Sequence, residues 1–489
     1  MKKSMLAVTA LATVGLLALA GCNKSSTGTA TNCTTDTGKV LNIACWNNEF
    51  QGRFENFYPD YVKTVTEGSS SYDLLRDGTK VYFKITPNDG NGYQNKLDSD
   101  LKAQDSAAAD DKIDMFLIEA DYATKYTATD YTLDVKGDVG LTDDDLSQMY
   151  QYTKDIVTYN GKLKAVSWQA TPGLYAYRRD LAKTVMGTDD PVEVQKKLAD
   201  WDKFNAVAKT AHDKNVFMLS GYDDAYRVYS NNMSAKWVND SKVVHFDDQI
   251  KAWIKATKTY TDSGYNDKTS LWDAQWQQNQ GPTGKTKEVE NSDKTKTTYT
   301  GHSVLGFFYS TWGINFTLAG NSDPDKLGNV NDVTKSLYGD YAVCQGPASW
   351  YWGGSWLCAA KGTDNKALVN KIMYTMTCSP AVANGITRIT QDYTNNQTAM
   401  NAIAADTTYG SDFLGGQNHI ALFKESAANI SMKNAGAYDQ GCNENMQKAM
   451  KDYFAGTATL EAAISNFKSK LGETYNGLTF DSSFDNVTL

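Results

Sequence analysis

Histidine and proline are scarce: the 489 residues hold four of the first and eight of the second. With so few imidazoles, and no Cys-x-x-Cys pair among seven cysteines, no zinc-ligand spacing is present. Low proline and a charged fraction of 21% fit a folded body rather than a linker-rich chain. Basic charge is also short, with 48 Lys and Arg against 57 Asp and Glu. That balance argues against nucleic acid or an anionic membrane surface as a partner. There is no Gly-x-Ser-x-Gly elbow, no His-Glu-x-x-His pair and no Gly-x-x-x-x-Gly-Lys loop. The common hydrolase, metalloprotease and phosphate-binding signatures are therefore missing, and no cofactor is implied. No repeat of fixed period occurs, and beyond residue 20 no apolar run reaches membrane-spanning length.

What is present begins with compartment signals. Lys2 and Lys3 precede a short apolar stretch, followed by Leu19-Ala20-Gly21-Cys22. The order of basic, apolar and small residues predicts a signal peptide over 1–21. Its end resembles the bacterial lipobox, which implies acylation of Cys22 and a lipid anchor on the outer face of the cytoplasmic membrane. Residues 22–38 are small and polar, too poor in apolar surface to offset the cost of ordering, and read as a tether. Six further cysteines, Cys33, Cys45, Cys344, Cys358, Cys378 and Cys442, either pair or lie reduced in the core; the spacing leaves both readings open.

From residue 39 onward, strand and helix patterns alternate. Apolar runs at 40–45, 81–85, 113–118, 164–168, 216–220, 304–308 and 355–359 read as strands. Helical periodicity runs through 92–104, 201–212, 249–263 and 365–378. This alternation predicts an α/β protein with largely parallel sheets. Residues 281–300 are charged and apolar-poor, which predicts a surface loop or hairpin.

Acids, amides and aromatics cluster just past the predicted strand ends. Trp46, Asn47 and Glu49 follow the first strand, Asn88 the second, Glu119 and Asp121 the third, and Tyr222 and Asp223 a later one. Ligands of open α/β sheets bind outside the carboxyl ends of strands. A sugar needs carboxylates and amides for its hydroxyls and flat rings for its C–H faces. Trp168, Trp272, Trp312, Trp356 and Asp392 complete the candidate set.

Several segments in order resemble the extracellular carbohydrate-binding proteins of the maltodextrin-binding group. They are the 162–181 stretch containing Tyr177-Arg178-Arg179-Asp180-Leu181, the strand before Trp312, Gly346-Pro347, and Gly353-Gly354-Ser355-Trp356 before a helix. The resemblance implies a two-lobed periplasmic-binding-protein-like fold with a crossover hinge and a ligand cleft between the lobes. Lobe one would comprise 39–166 plus 348–387, and lobe two 167–346 plus 388–489. It further implies a monomer that captures a sugar or oligosaccharide and delivers it to ABC permease subunits. Asp121 matches the family's acidic residue behind the third strand, and Trp312 its aromatic platform in lobe two. The loop at 281–300 and the dense run Trp350-Tyr351-Trp352 depart from the pattern. The rival reading is a secreted glycoside hydrolase, which would need two facing carboxylates from among Glu49, Glu119 and Asp121. A peptide binder would need a carboxylate-binding arginine such as Arg227. The acidic and aromatic company of these segments favours a neutral polyol instead.

Overall fold

The computed structural model describes residues 36, 38–322, 337–485 and 487–489. The predicted signal peptide, nearly all of the tether, Cys22 and Cys33 lie outside the described residues. Asp36–Leu489 forms one contact unit.

The seven-stranded sheet has the order Tyr61–Glu67, Ser70–Leu75, Lys80–Ile85, Val40–Cys45, Met115–Glu119, Ser355–Ala359, Val166–Ser167. Its centre is apolar on both faces: in Met115–Glu119 four consecutive residues are buried, and in Val40–Cys45 five are. Side chains alternate across a strand, so such runs require cover on both sides. The edge strand Tyr61–Glu67 has the opposite pattern, mostly exposed and carrying Lys63 and Glu67, with a register irregularity between Tyr61 and Lys63. Charge and a bulge at an edge discourage pairing with other chains.

A second sheet consists of Gly306–Ser310, Gly173–Arg178 and Tyr341–Cys344. Its central strand, Gly173–Arg178, is buried throughout. Beside it, Leu219–Gly221 pairs with Asn266–Thr269 in parallel, and Phe217 bridges to Val304. Helices Trp201–His212 and Asp248–Asp262 belong to this part and start on aspartate caps. Asp200 accepts from the Lys203 N–H, and Asp247 from the Gln249 N–H. Such caps are each worth about 1 kcal/mol.

The expectation of largely parallel sheets is corrected. In the large sheet only Val40–Cys45 with Lys80–Ile85, and Val40–Cys45 with Met115–Glu119, are parallel; the other neighbours run antiparallel. The three-stranded sheet is wholly antiparallel. The cause is topological. Ser355–Ala359 returns to the first sheet from the second and runs against its neighbour Met115–Glu119, while Tyr61–Glu67 and Ser70–Leu75 form a hairpin. Segment 281–300 is indeed a hairpin, with Thr286–Glu290 against Lys296–Thr300. The five described cysteines, Cys45, Cys344, Cys358, Cys378 and Cys442, are free and buried.

The chain passes between the sheets where Val166–Ser167, paired to Leu357 and Trp356, gives way to Gly173. It returns between Cys344 and Ser355. The two passages lie side by side: Pro172 bridges to Tyr351, and Thr171 accepts from the Trp352 N–H at 3.3 Å. Thr171 has φ 37°, and its hydroxyl donates to the Gly353 carbonyl at 3.0 Å. Gly354 opposite has φ 108°, where a side chain is strained, and a Cβ there would press on Trp356 and on the Thr171 hydroxyl. A third segment joins them, since Gln169 bridges to Thr394.

Candidate functional site

Gln169 sits at the first passage and organises one half of the site. Its side-chain nitrogen donates to Glu49 Oε1 at 2.9 Å and to Asp392 Oδ2 at 2.7 Å, while its oxygen accepts the Ser355 N–H at 3.1 Å. Glu49 is the first residue of helix Glu49–Phe57, and the Asn47 side chain accepts its N–H at 3.0 Å. Arg53 lies one turn on and reaches Glu49 at 3.4 Å. Burial, then the charge of Asp392, pushes the Glu49 carboxyl up to about 7. Burial likewise raises Asp392, which also accepts from Thr311 Oγ1 at 3.4 Å.

Ser355 pairs with Glu119 in the large sheet, so the second half of the site adjoins the first. Glu119 ends strand Met115–Glu119 and accepts the Asp121 N–H at 2.8 Å. Burial, with the charge of Asp121, raises Glu119 to about 8. Asp121 itself faces Arg227 of helix Tyr226–Ser230, with Nη1 to Oδ1 at 2.9 Å and Nη2 to Oδ2 at 2.6 Å. Burial pushes Asp121 up, but the charge and hydrogen bonds of Arg227 outweigh it and hold the carboxylate below its ordinary value. This ion pair joins a residue behind the large sheet to one behind strand Leu219–Gly221.

Aromatic rings complete this half. The Arg227 guanidinium lies 5.1 Å from the Trp352 ring centroid, and Tyr309 stacks on Trp352 at 6.0 Å with 12° between planes. Trp312 meets Trp352 edge-on at 5.3 Å, and Trp272 is tilted against it at 5.8 Å. Trp272 is 45% exposed and has φ 71°, a sparsely populated backbone state for a bulky residue. Beyond Trp312, Phe316 packs at 5.7 Å and is 70% exposed. A Cβ on Gly353 would stand 3.2 Å from the Trp312 indole nitrogen and 3.6 Å from Glu119 Oε1, so carboxyl and indole flank the same glycine.

The structure thus brings Glu119, Asp121, Trp272 and Trp312 into one cluster, and Glu49, Asn47 and Asp392 into its neighbour. Trp46 is half-buried near the former, edge-on to Tyr93 at 5.6 Å and Tyr122 at 6.4 Å. Asp223 accepts the Leu271 N–H at 3.4 Å beside Trp272, and burial raises it to about 7. Asn88 carries a buried oxygen without a hydrogen-bond partner, apart from the two clusters. Three candidates are packing residues here. Trp168 is 2% exposed against Phe50, Trp356 is 1% exposed with its N–H on the Thr153 carbonyl, and Tyr222 is 6% exposed and stacked on Phe454. Trp168 and Tyr222 follow strands and Trp356 lies inside one, but each ring turns inward because a buried neighbour is available there.

Sequence reasoning overlooked Gln169, Arg53 and Trp352 as site residues and gave Arg227 no role beside a sugar. Trp352 was visible in the run Trp350-Tyr351-Trp352. Arg227 had no local signal, because its partner lies 106 residues away.

The architecture is a two-lobed α/β fold, with the cluster beside the passages between its sheets. A profile of the bacterial extracellular solute-binding proteins matches residues 74–410, and the chain belongs to that family. It is similar in fold to an extracellular solute-binding protein of family 1, with 17% identity, a TM-score of 0.65, and coverage of 88% of this chain and 98% of that one. It is similar to the galacto-N-biose-/lacto-N-biose I-binding protein of the ABC transporter from Bifidobacterium longum in complex with lacto-N-biose, with 16% identity, a TM-score of 0.59, and coverage of 91% and 100%. A third similar structure is maltose-bound MalE3 of T. maritima, with 14% identity, a TM-score of 0.57, and coverage of 89% and 99%. No curated protein matches the chain by sequence.

Proposed function

We propose that the protein captures an oligosaccharide between its lobes and delivers it to the permease of an ABC importer. The observation that carries this reading is the joint placement of carboxyl groups and indoles across the two sheets. Glu119 and Asp121 come from a strand end of the large sheet, Trp312 follows the three-stranded sheet, and Trp272 follows the neighbouring pair Leu219–Gly221 and Asn266–Thr269. Carboxyls serve ring hydroxyls, and indoles serve C–H faces. The sugar complexes among similar structures support the same ligand class. The lobes would follow the sequence division, 39–166 plus 348–387 and 167–346 plus 388–489. The chain would act as a monomer, tethered outside the cell through acylated Cys22, and would bind without turnover.

A thermal-shift screen of the purified protein against mono- and oligosaccharides tests the reading. A ligand that binds only the folded state raises the melting temperature by mass action. A concentration-dependent rise with at least one oligosaccharide is the expected result. No rise across a broad neutral panel, with a rise for peptides, would overturn it.

A further inference from the structure

Arg227 and Asp121 stand on opposite sides of the passage between the sheets. Asp121 follows strand Met115–Glu119 of the large sheet, while Arg227 lies on helix Tyr226–Ser230 behind strand Leu219–Gly221. The pair can form only when the two sides approach. Both Asp121 oxygens are engaged by the guanidinium, at 2.9 and 2.6 Å. The same guanidinium lies over Trp352, 5.1 Å from the ring centroid. Tyr309 stacks on that indole with 12° between planes. Trp352 is consequently only 7% exposed, although it lies at the centre of the aromatic cluster.

These contacts duplicate those of a sugar. A pyranose would place a flat C–H face on an indole and donate adjacent hydroxyls to a carboxylate. Arg227 presents a flat group to Trp352 and two parallel N–H donors to Asp121. A planar fork suits both tasks, and a lysine ammonium suits neither. We infer that Arg227 is an internal stand-in for the sugar, holding the ligand-free lobes together through Asp121 and covering the Trp352 face that an incoming ring must take. This rests on the cleft being a sugar site.

Other polar groups surround the pair. Glu119, Tyr351 and Tyr226 are the other titratable groups near it. Asp439, at the start of helix Asp439–Phe454, has a buried Oδ1 without a hydrogen-bond partner. That helix packs both on Asp248–Asp262, on the side of Arg227, and on Ala120–Tyr122, beside Asp121.

The test uses the full chain with Arg227→Ala, Arg227→Lys and Asp121→Asn, each checked for folding by its melting curve. Small-angle scattering of the ligand-free proteins reads lobe closure. Arg227→Ala and Asp121→Asn are expected to have a larger radius of gyration than wild type, with Arg227→Lys intermediate. Equal radii for all four would overturn the inference without involving any ligand. Calorimetric titration then uses maltotriose, β-1,6-galactobiose and lacto-N-biose. Apparent affinity falls with the fraction of molecules able to bind, so Arg227→Ala is expected to bind a recognised probe on the order of tenfold more tightly than wild type. Weaker binding would make Arg227 a ligand contact and end the stand-in role. If no probe binds either protein, the sugar reading falls and the stand-in with it, while the scattering still reports whether the ion pair holds the lobes.

Discussion

Trp312 donates its indole N–H to the backbone carbonyl of Trp352 at 2.7 Å. The bond fixes the ring while leaving it half-buried, with Phe316 on one side and Trp352 on the other. Removal of Trp312 is expected to weaken sugar binding by about 2 kcal/mol or more, the scale of a buried aromatic anchor. Calorimetric titration of Trp312→Ala measures this. Ligand-free melting should change little, because Trp312 is not enclosed. A steep loss of melting temperature with unchanged affinity would assign the ring to packing.

Gln169 holds two carboxyl groups on one amide nitrogen. Gln169→Leu keeps the side-chain volume but leaves Glu49 and Asp392 facing each other without that donor. A buried acceptor deprived of its partner costs about 1–3 kcal/mol, and two are affected here. Thermal unfolding should show a marked loss of stability. The loss should be smaller at about pH 5 than at pH 8, since protonation of Glu49 relieves the repulsion. A neutral outcome at both pH values would show that Arg53 suffices to balance the pair.

The titration of the cleft acids has a definite sign. Glu119 rises from 4.5 to about 8, and Glu49, Asp223 and Asp439 to about 7, in each case chiefly through burial. A group with a raised folded-state value binds its proton more tightly in the native protein. Its contribution is fully present below the unfolded value and is lost as pH rises through the folded one. Stability of the ligand-free protein should therefore fall as pH rises from roughly 5 to 8. Asp121 acts oppositely, its contribution being lost in acid below the usual carboxylate range. Melting temperatures across this window measure the slope, and Glu119→Gln should flatten it. An unchanged slope would place the proton elsewhere.

The parts of the fold that were readable in the sequence are those where local burial dictates pattern. Strands Val40–Cys45 and Ser355–Ala359 and helix Trp201–His212 match their expected bounds, because each apolar run or period is strong. The hairpin Tyr61–Glu67 and Ser70–Leu75 was missed, since its Thr, Ser and Lys residues face solvent and carry no core signal. Strand direction was misread because it depends on where the chain passes between sheets, which no local pattern records. Glu49, Glu119, Asp121 and Asp223 could be placed because each sits at or just after a strand end, whereas Asp392 follows helix Pro380–Thr390. Whether a ring such as Trp168 faces a cleft or Phe50 depends on a neighbour distant in sequence. The Asp121–Arg227 pair lies beyond local reading for the same reason.

Localisation can be tested apart from binding. Leu19-Ala20-Gly21-Cys22 predicts acylation, and stable anchoring needs two chains or a second signal. Cys22→Ser is expected to move the protein from the membrane fraction to the medium or periplasm. Sugar affinity should be unchanged, since the folded unit begins near residue 36. Continued membrane association of the mutant would remove the lipid anchor.

Capture without turnover is the remaining expectation, and the carboxyl groups make it a real question. A glycosidase needs one carboxyl that keeps its proton and one that stays ionised, flanking the scissile bond. Glu119, raised to about 8, and Asp121, held low, have divergent protonation states of that kind. Their arrangement differs from a glycosidase pair. They are two residues apart at one strand end, Glu119 accepts the Asp121 N–H, and both Asp121 oxygens are bonded to Arg227. Both carboxyls thus stand at one strand end instead of facing each other across a scissile bond. Prolonged incubation with any oligosaccharide that raises the melting temperature should therefore release no new reducing ends. Wild-type release that disappears in both Glu119→Gln and Asp121→Asn would establish hydrolysis and displace the binding-only reading. Release that persists in both would point to a contaminating enzyme and leave it standing.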